Sequence, residues 1–203
     1  MNIAVLASGR GSNFKAIAEA VKGGVLAETR IAGLISNKSD APALETARQF
    51  GIPLYASDAK KGRKDYEAWL LSTLNNLSPR PDYLVLAGYM LLLPPEILRA
   101  FPNRVLNIHP SLLPSFVGLR PQQQALDHGV LWTGCTVHLV NEELDAGPIL
   151  MQAVVPIEPG DTEETLGNRL LPIEHKTYVE TLKRIEKGTF SLVGRRVVWA
   201  GQG

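Results

Sequence analysis

Apolar runs of strand length alternate with helix-period segments through the first half of the chain, and this alternation limits the possible folds more than any other feature. Segment 12–22 has apolar residues at i, i+3, i+4 and i+7 and lies between apolar runs at 3–7 and 31–35. Further strand candidates are 52–55, 83–87 and 104–108, and further helix candidates are 41–50, 65–77 and a short helix after Pro94. Alternation of this kind predicts a parallel sheet with helices on both faces.

The second half of the chain has a different pattern. Residues 133–140 alternate as a half-buried strand does, 149–156 form another strand, and 163–187 are helical with Pro172 expected to kink or divide the helix. A terminal hairpin is expected over 190–199. We therefore expect residues 1–203 to form one α/β, Rossmann-like domain whose sheet is mostly parallel, with an antiparallel C-terminal part and two halves that meet near residue 100.

Composition excludes several classes of protein. The 203 residues are 45% hydrophobic and 20% charged with a net charge of +1, which argues against nucleic acid as the main partner. The single cysteine, Cys135, excludes an internal disulfide and a multi-cysteine zinc site. The chain begins with an apolar run that lacks a basic region and transmembrane length. We therefore expect a cytoplasmic protein that does not bind a membrane.

A glycine-rich loop follows the first predicted strand and is a candidate phosphate site. Gly11, Ser12 and Asn13 lie where a helix begins, and a helix start offers unpaired N–H groups to an anion. The dinucleotide fingerprint fails, because Phe14 replaces its third glycine and no acid ends the second strand. The alternative is a tight strand-to-helix turn in which Ser12 is the N-cap.

Asn107 and His109 end the fifth predicted strand, where ligands collect in open parallel sheets. Side chains alternate along a strand, so both should point the same way. A neutral amide donor beside a titratable imidazole suits a reaction in which a carbonyl becomes a tetrahedral oxyanion. Equally, His109 could simply satisfy loop backbone.

An acidic loop supplies a possible third member of this site. The strand at 133–140 is followed by Glu142, Glu143 and Asp145. The alternative interpretation of this loop is a solvent-exposed acidic turn without a catalytic role. A carboxylate near His109 would favour the cationic form of the imidazole. His138 is interpreted as a buried, hydrogen-bonding histidine. No local spacing of ligands supports a metal site, so we expect none.

Several segments together resemble the folate-dependent formyltransferase family, most closely its branch that acts on glycinamide ribonucleotide. The similar segments are 8–13, 36–38, 86–90, 106–114, 134–147 and Glu174-His175. The run Asn-Ile-His-Pro-Ser-Leu-Leu-Pro at 107–114 is specific to the formyltetrahydrofolate-using transferases as a group. The resemblance implies transfer of the formyl group of 10-formyltetrahydrofolate, as cosubstrate, to the amine of glycinamide ribonucleotide in de novo purine biosynthesis.

The resemblance also implies roles for individual residues. The catalytic residues would be Asn107, His109 and Asp145, selected over Glu142 and Glu143. The ribonucleotide would be bound by Gly11, Ser12, Asn13 and Glu174. The folate would be bound by Arg63, Met90, Leu91, Leu92, Leu93, Asn107, Val140 and Asn141. The N-terminal half would thus hold phosphate and the C-terminal half would hold the catalytic groups, in a monomer or homodimer whose partners are small molecules.

Other functions keep the same central residues. A formyltetrahydrofolate hydrolase would use water in place of the amine, although such enzymes usually carry an extra N-terminal domain and this chain begins at its first strand. A transfer-RNA formyltransferase would need a C-terminal nucleic-acid-binding domain. A sugar-nucleotide formyltransferase would explain the phosphate loop less well. Outside enzymes, a module that binds a phosphorylated ligand is the remaining alternative.

Overall fold

Parallel strands joined by helices make up the N-terminal part of the chain. The computed structural model describes residues 1–59 and 62–200 and divides into two compact units, 1–106 and 107–203. The elements that begin in the first unit are β1 Asn2–Ala7, α1 Ser12–Lys22, β2 Arg30–Ser36, α2 Ala43–Gln49, β3 Leu54–Ala56, α3 Arg63–Asn76, β4 Tyr83–Leu86, α4 Pro95–Ala100 and β5 Val105–His109.

The first unit orders its strands β3-β2-β1-β4, and each neighbouring pair is parallel. Strand β1 is paired on both sides, with β2 and β4, and its residues from Ile3 onward are fully buried. The predicted stripe of α1 is also buried, with Phe14 and Ile17 at 0% exposure. Burying such side chains contributes roughly 1.5–3 kcal/mol each. The loop that follows β1 is therefore held between two rigid elements.

Antiparallel pairs dominate the second unit. Its remaining elements are α5 Pro121–Asp127, β6 Trp132–Leu139, β7 Ile149–Pro156, α6 Glu163–Lys187, β8 Phe190–Val193 and β9 Arg196–Trp199. The pairs β6–β7 and β8–β9 are antiparallel, and β9 joins β7 in parallel at Arg196 and Ile149. The expected α/β class, mostly parallel at first with antiparallel C-terminal strands, is confirmed. The expectation of one domain divided near residue 100 stays a prediction.

Two helices depart from what the sequence pattern indicated. Helix α6 is one continuous element through Pro172, so the proline does not divide it, although proline removes one helical hydrogen bond; a kink at this residue stays a prediction. A buried stripe on both sides of the proline, from Leu166 to Ile185, and a capping box at Thr162 and Thr165 hold the helix together. Helix α5 was not predicted, because its seven residues hold too few apolar side chains to show a helical period.

Candidate active site

Strand β5 ends with Asn107 and His109, and its pleat places both side chains on one side. The amide nitrogen Nδ2 of Asn107 lies 3.2 Å from Nε2 of His138, on β6. His109 is only 6% exposed, so its ring must find its partners within the protein. The second unit thus brings together an amide and two imidazoles.

His138 has a defined proton arrangement. Its Nδ1 lies 2.9 Å from the carbonyl oxygen of Leu139, which can only accept, so Nδ1 carries the proton. Burial lowers the pKa of His138, which favours the neutral ring. In that form Nε2 accepts a hydrogen bond from Asn107, and this bond fixes the orientation of the Asn107 amide.

The carboxylate of Asp145 joins this cluster from the turn between β6 and β7. Its Oδ2 accepts a hydrogen bond from the Gly118 main-chain N–H at 3.0 Å and lies 3.4 Å from Nδ1 of His109, and its Oδ1 lies 3.8 Å from Nε2 of His138. The side chain is 8% exposed. Asp145 therefore faces inward, whereas Glu142 and Glu143 are exposed.

The turn that carries Asp145 is built tightly. Asp145 has a left-handed φ of 50°. A Cβ on Gly147 would stand 1.7 Å from the carbonyl oxygen of Leu139, so only glycine fits there. Nη2 of Arg195, at the tip of the β8–β9 hairpin, donates to the carbonyl oxygen of Ala146 at 2.7 Å. The position of the Asp145 carboxylate thus depends on the main-chain conformation of this turn and on the hydrogen bond from Arg195, which is distant in sequence.

Both ring nitrogens of His109 face oxygen acceptors. Nε2 lies 2.9 Å from the carbonyl oxygen of Phe116, and Nδ1 faces Asp145. A carbonyl oxygen cannot donate, and neither can an ionised carboxylate. The doubly protonated, cationic imidazole is therefore the form that satisfies both contacts.

The loop after β5 is anchored at its base to β6 and β7. The hydroxyl of Thr136 donates to the carbonyl oxygen of Ser111 at 2.7 Å and accepts from the Leu113 N–H at 3.0 Å. The Gln152 amide donates to the Leu113 carbonyl oxygen at 3.0 Å. These hydrogen bonds fix the positions of Ser111 and Leu113, which precede the residue, Phe116, whose carbonyl oxygen contacts His109.

The expected phosphate loop lies in the first unit. Gly11 has φ 69° and would clash with Ala43 if it carried a Cβ, at 2.6 Å from the Ala43 Cβ. Gly11 is the N-cap of α1 and none of the described side chains caps the helix, so the alternative with Ser12 as N-cap was wrong. Ser12 and Asn13 begin the helix, where main-chain N–H groups can meet an anion.

Ser8 connects this loop to the segment expected to hold folate. Its N–H donates to the Gly88 carbonyl oxygen at 3.1 Å, and its Oγ accepts from the Met90 N–H at 2.8 Å. Met90 is 70% and Leu92 is 62% exposed. Large exposed apolar side chains of this kind are available to an apolar ligand.

The other expected binding residues are distributed over both units. Arg63 pairs with Glu67 at 2.8 Å, and its Nη2 lies 3.5 Å from the Leu92 carbonyl oxygen. Of the remaining folate candidates, Leu93 is buried, Leu91 and Val140 are half-buried and Asn141 is exposed. Glu174 is buried on α6, in the second unit with the catalytic cluster.

Cys135 is not poised to react. It is fully buried on β6, and its Sγ lies 3.6 Å from Oγ1 of Thr177. Burial raises the pKa of Cys135 to about 11, so the thiol stays protonated near neutral pH.

Neither a metal-binding cluster nor a membrane-spanning helix is present within residues 1–59 and 62–200. That range contains no group of three or more His, Cys, Asp or Glu side chains placed to hold a metal ion. None of its helices combines the length and the apolar character needed to cross a bilayer.

Comparison with known proteins identifies the family. The family model described as formyl transferase matches residues 1–182, and the chain belongs to the formyl transferase family, as its motifs predicted. It is 42% identical over 180 residues to the phosphoribosylglycinamide formyltransferase of Escherichia coli K12, covering 88% of this chain and 84% of that protein. Some curated relatives are longer: the chain spans 20% of the bovine trifunctional purine biosynthetic protein adenosine-3.

Solved structures of related enzymes match this chain over nearly its whole length. A glycinamide ribonucleotide transformylase from Symbiobacterium toebii matches with a TM-score of 0.93 and 44% identity, over 98% of this chain and 93% of that one. A formyltetrahydrofolate deformylase from Pseudomonas syringae matches with a TM-score of 0.90 and 30% identity, over 98% of this chain and 65% of that one.

Sequence reasoning missed several contacts of the site. It treated His138 as a satisfied histidine without linking it to Asn107. The polar alternation of β6, which already placed His138 on one face with Thr136, was the available signal. The contacts of the Phe116 carbonyl and the Gly118 N–H are made by main-chain atoms, so the pattern of side chains along the sequence could not indicate them.

Proposed function

We propose that this chain transfers the formyl group of 10-formyltetrahydrofolate to the amine of glycinamide ribonucleotide, giving formylglycinamide ribonucleotide and tetrahydrofolate in de novo purine biosynthesis. The observation that carries the proposal is the cluster of Asn107, His109, His138 and Asp145, closed by contacts of 3.2–3.8 Å. Membership of the formyl transferase family supports the choice of reaction.

The transfer is direct in this proposal. The amine nitrogen forms a bond to the formyl carbon, the bond from that carbon to the folate nitrogen breaks, and the proton lost by the amine passes to the folate nitrogen. No serine or cysteine nucleophile is required, which agrees with the protonated, buried thiol of Cys135. Asp145 accepts and returns the proton, directly or through water.

Asn107 and His109 stabilise the oxyanion that develops on the formyl oxygen. Asn107 gives one of its two amide N–H groups to His138, which leaves the other for the oxyanion. One such donor typically contributes about 3–4 kcal/mol to the transition state. His109 supplies positive charge, since its cationic form satisfies both of its contacts. His138 is a positioning residue that orients the amide.

Binding is assigned to both units. We infer that Gly11, Ser12 and Asn13 hold the ribonucleotide phosphate and that Glu174 faces the glycinamide amine. The folate is assigned to Arg63, residues 90–93, Asn107, Val140 and Asn141. The formyl folate is a cosubstrate, the chemistry uses no metal, and the enzyme acts in the cytoplasm as a monomer or homodimer.

A formyltetrahydrofolate hydrolase is the second candidate, favoured by the likeness to the Pseudomonas syringae deformylase. Water would then attack the same formyl carbon, with Asn107, His109 and Asp145 in the same roles. The family relationship alone does not separate the two reactions, but the likeness to the Escherichia coli and Symbiobacterium toebii transferases, at 42% and 44% identity against 30% for the deformylase, supports transfer.

A steady-state assay with both substrates decides between them. The protein is mixed with 10-formyltetrahydrofolate, with and without glycinamide ribonucleotide, and formylglycinamide ribonucleotide and formate are quantified by mass spectrometry. We expect the formylated ribonucleotide as the main product and little formate when the ribonucleotide is omitted. Formate release at the same rate without ribonucleotide would favour the hydrolase. If neither the formylated ribonucleotide nor formate forms from about pH 6 to 9, where imidazoles titrate, both candidate functions are refuted.

A further inference from the structure

The segment from Phe116 to Arg120, which we call the bridging loop, has an unusual main chain. Phe116 has φ 56°, Gly118 has φ 81° and Arg120 has φ 54°, so every second residue is left-handed. Phenylalanine and arginine rarely adopt this conformation, and it persists only where surrounding contacts enforce it. The bridging loop must therefore be held by specific partners.

The bridging loop contacts both members of the His109–Asp145 pair through its main chain. The Phe116 carbonyl oxygen lies 2.9 Å from Nε2 of His109, and the Gly118 N–H donates to Oδ2 of Asp145 at 3.0 Å. These two main-chain groups are two residues apart. Rotation of the peptide units between them would weaken both contacts together.

Gln124, on the first turn of α5, holds those peptide units. Its Nε2 donates to the carbonyl oxygens of Val117 and Leu119, each at 3.0 Å. A primary amide has two N–H groups, so both bonds can form at once. The two carbonyl groups flank Gly118, and apart from His109 and Asp145 themselves, Gln124 is the described side chain that bonds main-chain groups inside the bridging loop.

Peptide geometry transmits this restraint to Asp145. The Val117 carbonyl and the Gly118 N–H belong to one planar, trans peptide unit, in which the two groups point in opposite directions. When Gln124 fixes the direction of the carbonyl, it also aims the N–H at Asp145. The Arg120–Glu163 ion pair and the contact of the Phe116 ring with His128 act at the ends of the bridging loop instead.

We propose that Gln124 is a positioning residue for the His109–Asp145 pair, acting through the bridging loop. The inference rests on the proposed function for the role of that pair in formyl transfer. Gln124 touches neither member of the pair, and its effect is to keep the Phe116 carbonyl and the Gly118 N–H in place. Loss of its amide should therefore change the surroundings of His109 before any substrate binds.

The test compares Gln124→Met with Gln123→Met, the same substitution one residue earlier on the same helix. The amide of Gln123 bonds only the exposed Asp127 among the described residues, at 2.7 Å. Ring nitrogen signals of ligand-free protein labelled with 15N-histidine are recorded near neutral pH, with His109 assigned by the signal lost in His109→Gln. Formyl-transfer kcat and KM are measured on the same samples.

We expect Gln123→Met to keep the His109 ring-nitrogen signals of the wild type, and Gln124→Met to shift them, because the Phe116 carbonyl and Asp145 contacts of the ring are disturbed. Its kcat should fall about tenfold, the effect of two lost hydrogen bonds, with KM within about twofold. An unchanged His109 signal in Gln124→Met, or an equal change in Gln123→Met, overturns the inference.

Two further arrangements keep the test decisive. If wild type transfers no formyl group, the proposed function fails, and the histidine signals alone decide the positioning role. If Gln124→Met does not fold, Gln124→Asn replaces it, since its amide is one methylene too short to reach both carbonyl groups. Unchanged His109 signals in Gln124→Asn would then overturn the inference.

Discussion

Replacing Asp145 with asparagine removes a charge from the site while keeping its shape. The asparagine oxygen can take the place of Oδ2, accepting from the Gly118 N–H and standing 3.4 Å from Nδ1 of His109. Its NH2 group then takes the place of Oδ1, 3.8 Å from the acceptor Nε2 of His138. Hydrogen bonding is therefore largely retained, and the change reports on the negative charge.

The size of the effect follows from the contact distance. Opposite unit charges 3.4 Å apart attract by about 5 kcal/mol at an effective dielectric constant near 20. The amide dipole recovers part of this, and loss of a proton-transfer group typically costs about 10²–10⁴ in rate. We expect kcat of Asp145→Asn to fall about a hundredfold to a thousandfold, with KM for both substrates within about threefold.

The assay measures initial rates of formylglycinamide ribonucleotide formation, with circular dichroism to confirm folding. Glu143→Gln is the matched control, because it removes one negative charge from an exposed position in the same loop. Its kcat should stay within about twofold of wild type. If Asp145→Asn keeps more than about a tenth of wild-type kcat, or if Glu143→Gln falls as far, the assigned role of Asp145 is refuted.

Three further predictions follow from burial and close contacts. Gly147→Ala should destabilise the protein by about 1–3 kcal/mol in urea unfolding, because its Cβ meets the Leu139 carbonyl oxygen; unchanged stability contradicts this packing. Burial raises the pKa of Cys135 to about 11, so the native thiol should not react with iodoacetamide at pH 8, whereas the urea-unfolded chain should react; rapid native alkylation contradicts it. Burial lowers the pKa of His138 below 6.5, so the unfolded chain binds more protons and stability should fall as pH drops below that value; an equally steep fall in His138→Gln contradicts this assignment.

Strand and helix positions were predictable because burial imposes a period on the sequence. Strand β1 and helix α1 could be located closely, since β1 is a continuous apolar run of strand length and the buried face of α1 repeats every three to four residues. Helix α5 was not predicted from the sequence, because hydrogen bonds and Pro121, rather than a buried apolar stripe, define it. Pro172 does not divide α6, because tertiary burial along the helix outweighs the local cost of a proline.

The site was predictable only where side-chain alternation carries the information. Alternation along β5 placed Asn107 beside His109 on one side. The sequence alone could not choose Asp145 over Glu142 and Glu143, and the resemblance made that choice; the structure adds a physical difference, since Asp145 has an inward side chain and a left-handed main chain. The contacts from Phe116 and Gly118 use main-chain atoms, which every residue possesses, so no residue pattern can indicate them.

The hydrogen bond from Arg195 to the Ala146 carbonyl oxygen bears on where this domain can be cut. The match to the formyl transferase family ends at residue 182, inside α6, whereas the arginine lies on the hairpin beyond it. A chimera or shortened version whose boundary follows the family match would end within a helix and lose a support of the turn that carries Asp145. Swaps between relatives that aim to keep turnover should therefore extend through Trp199, the end of β9.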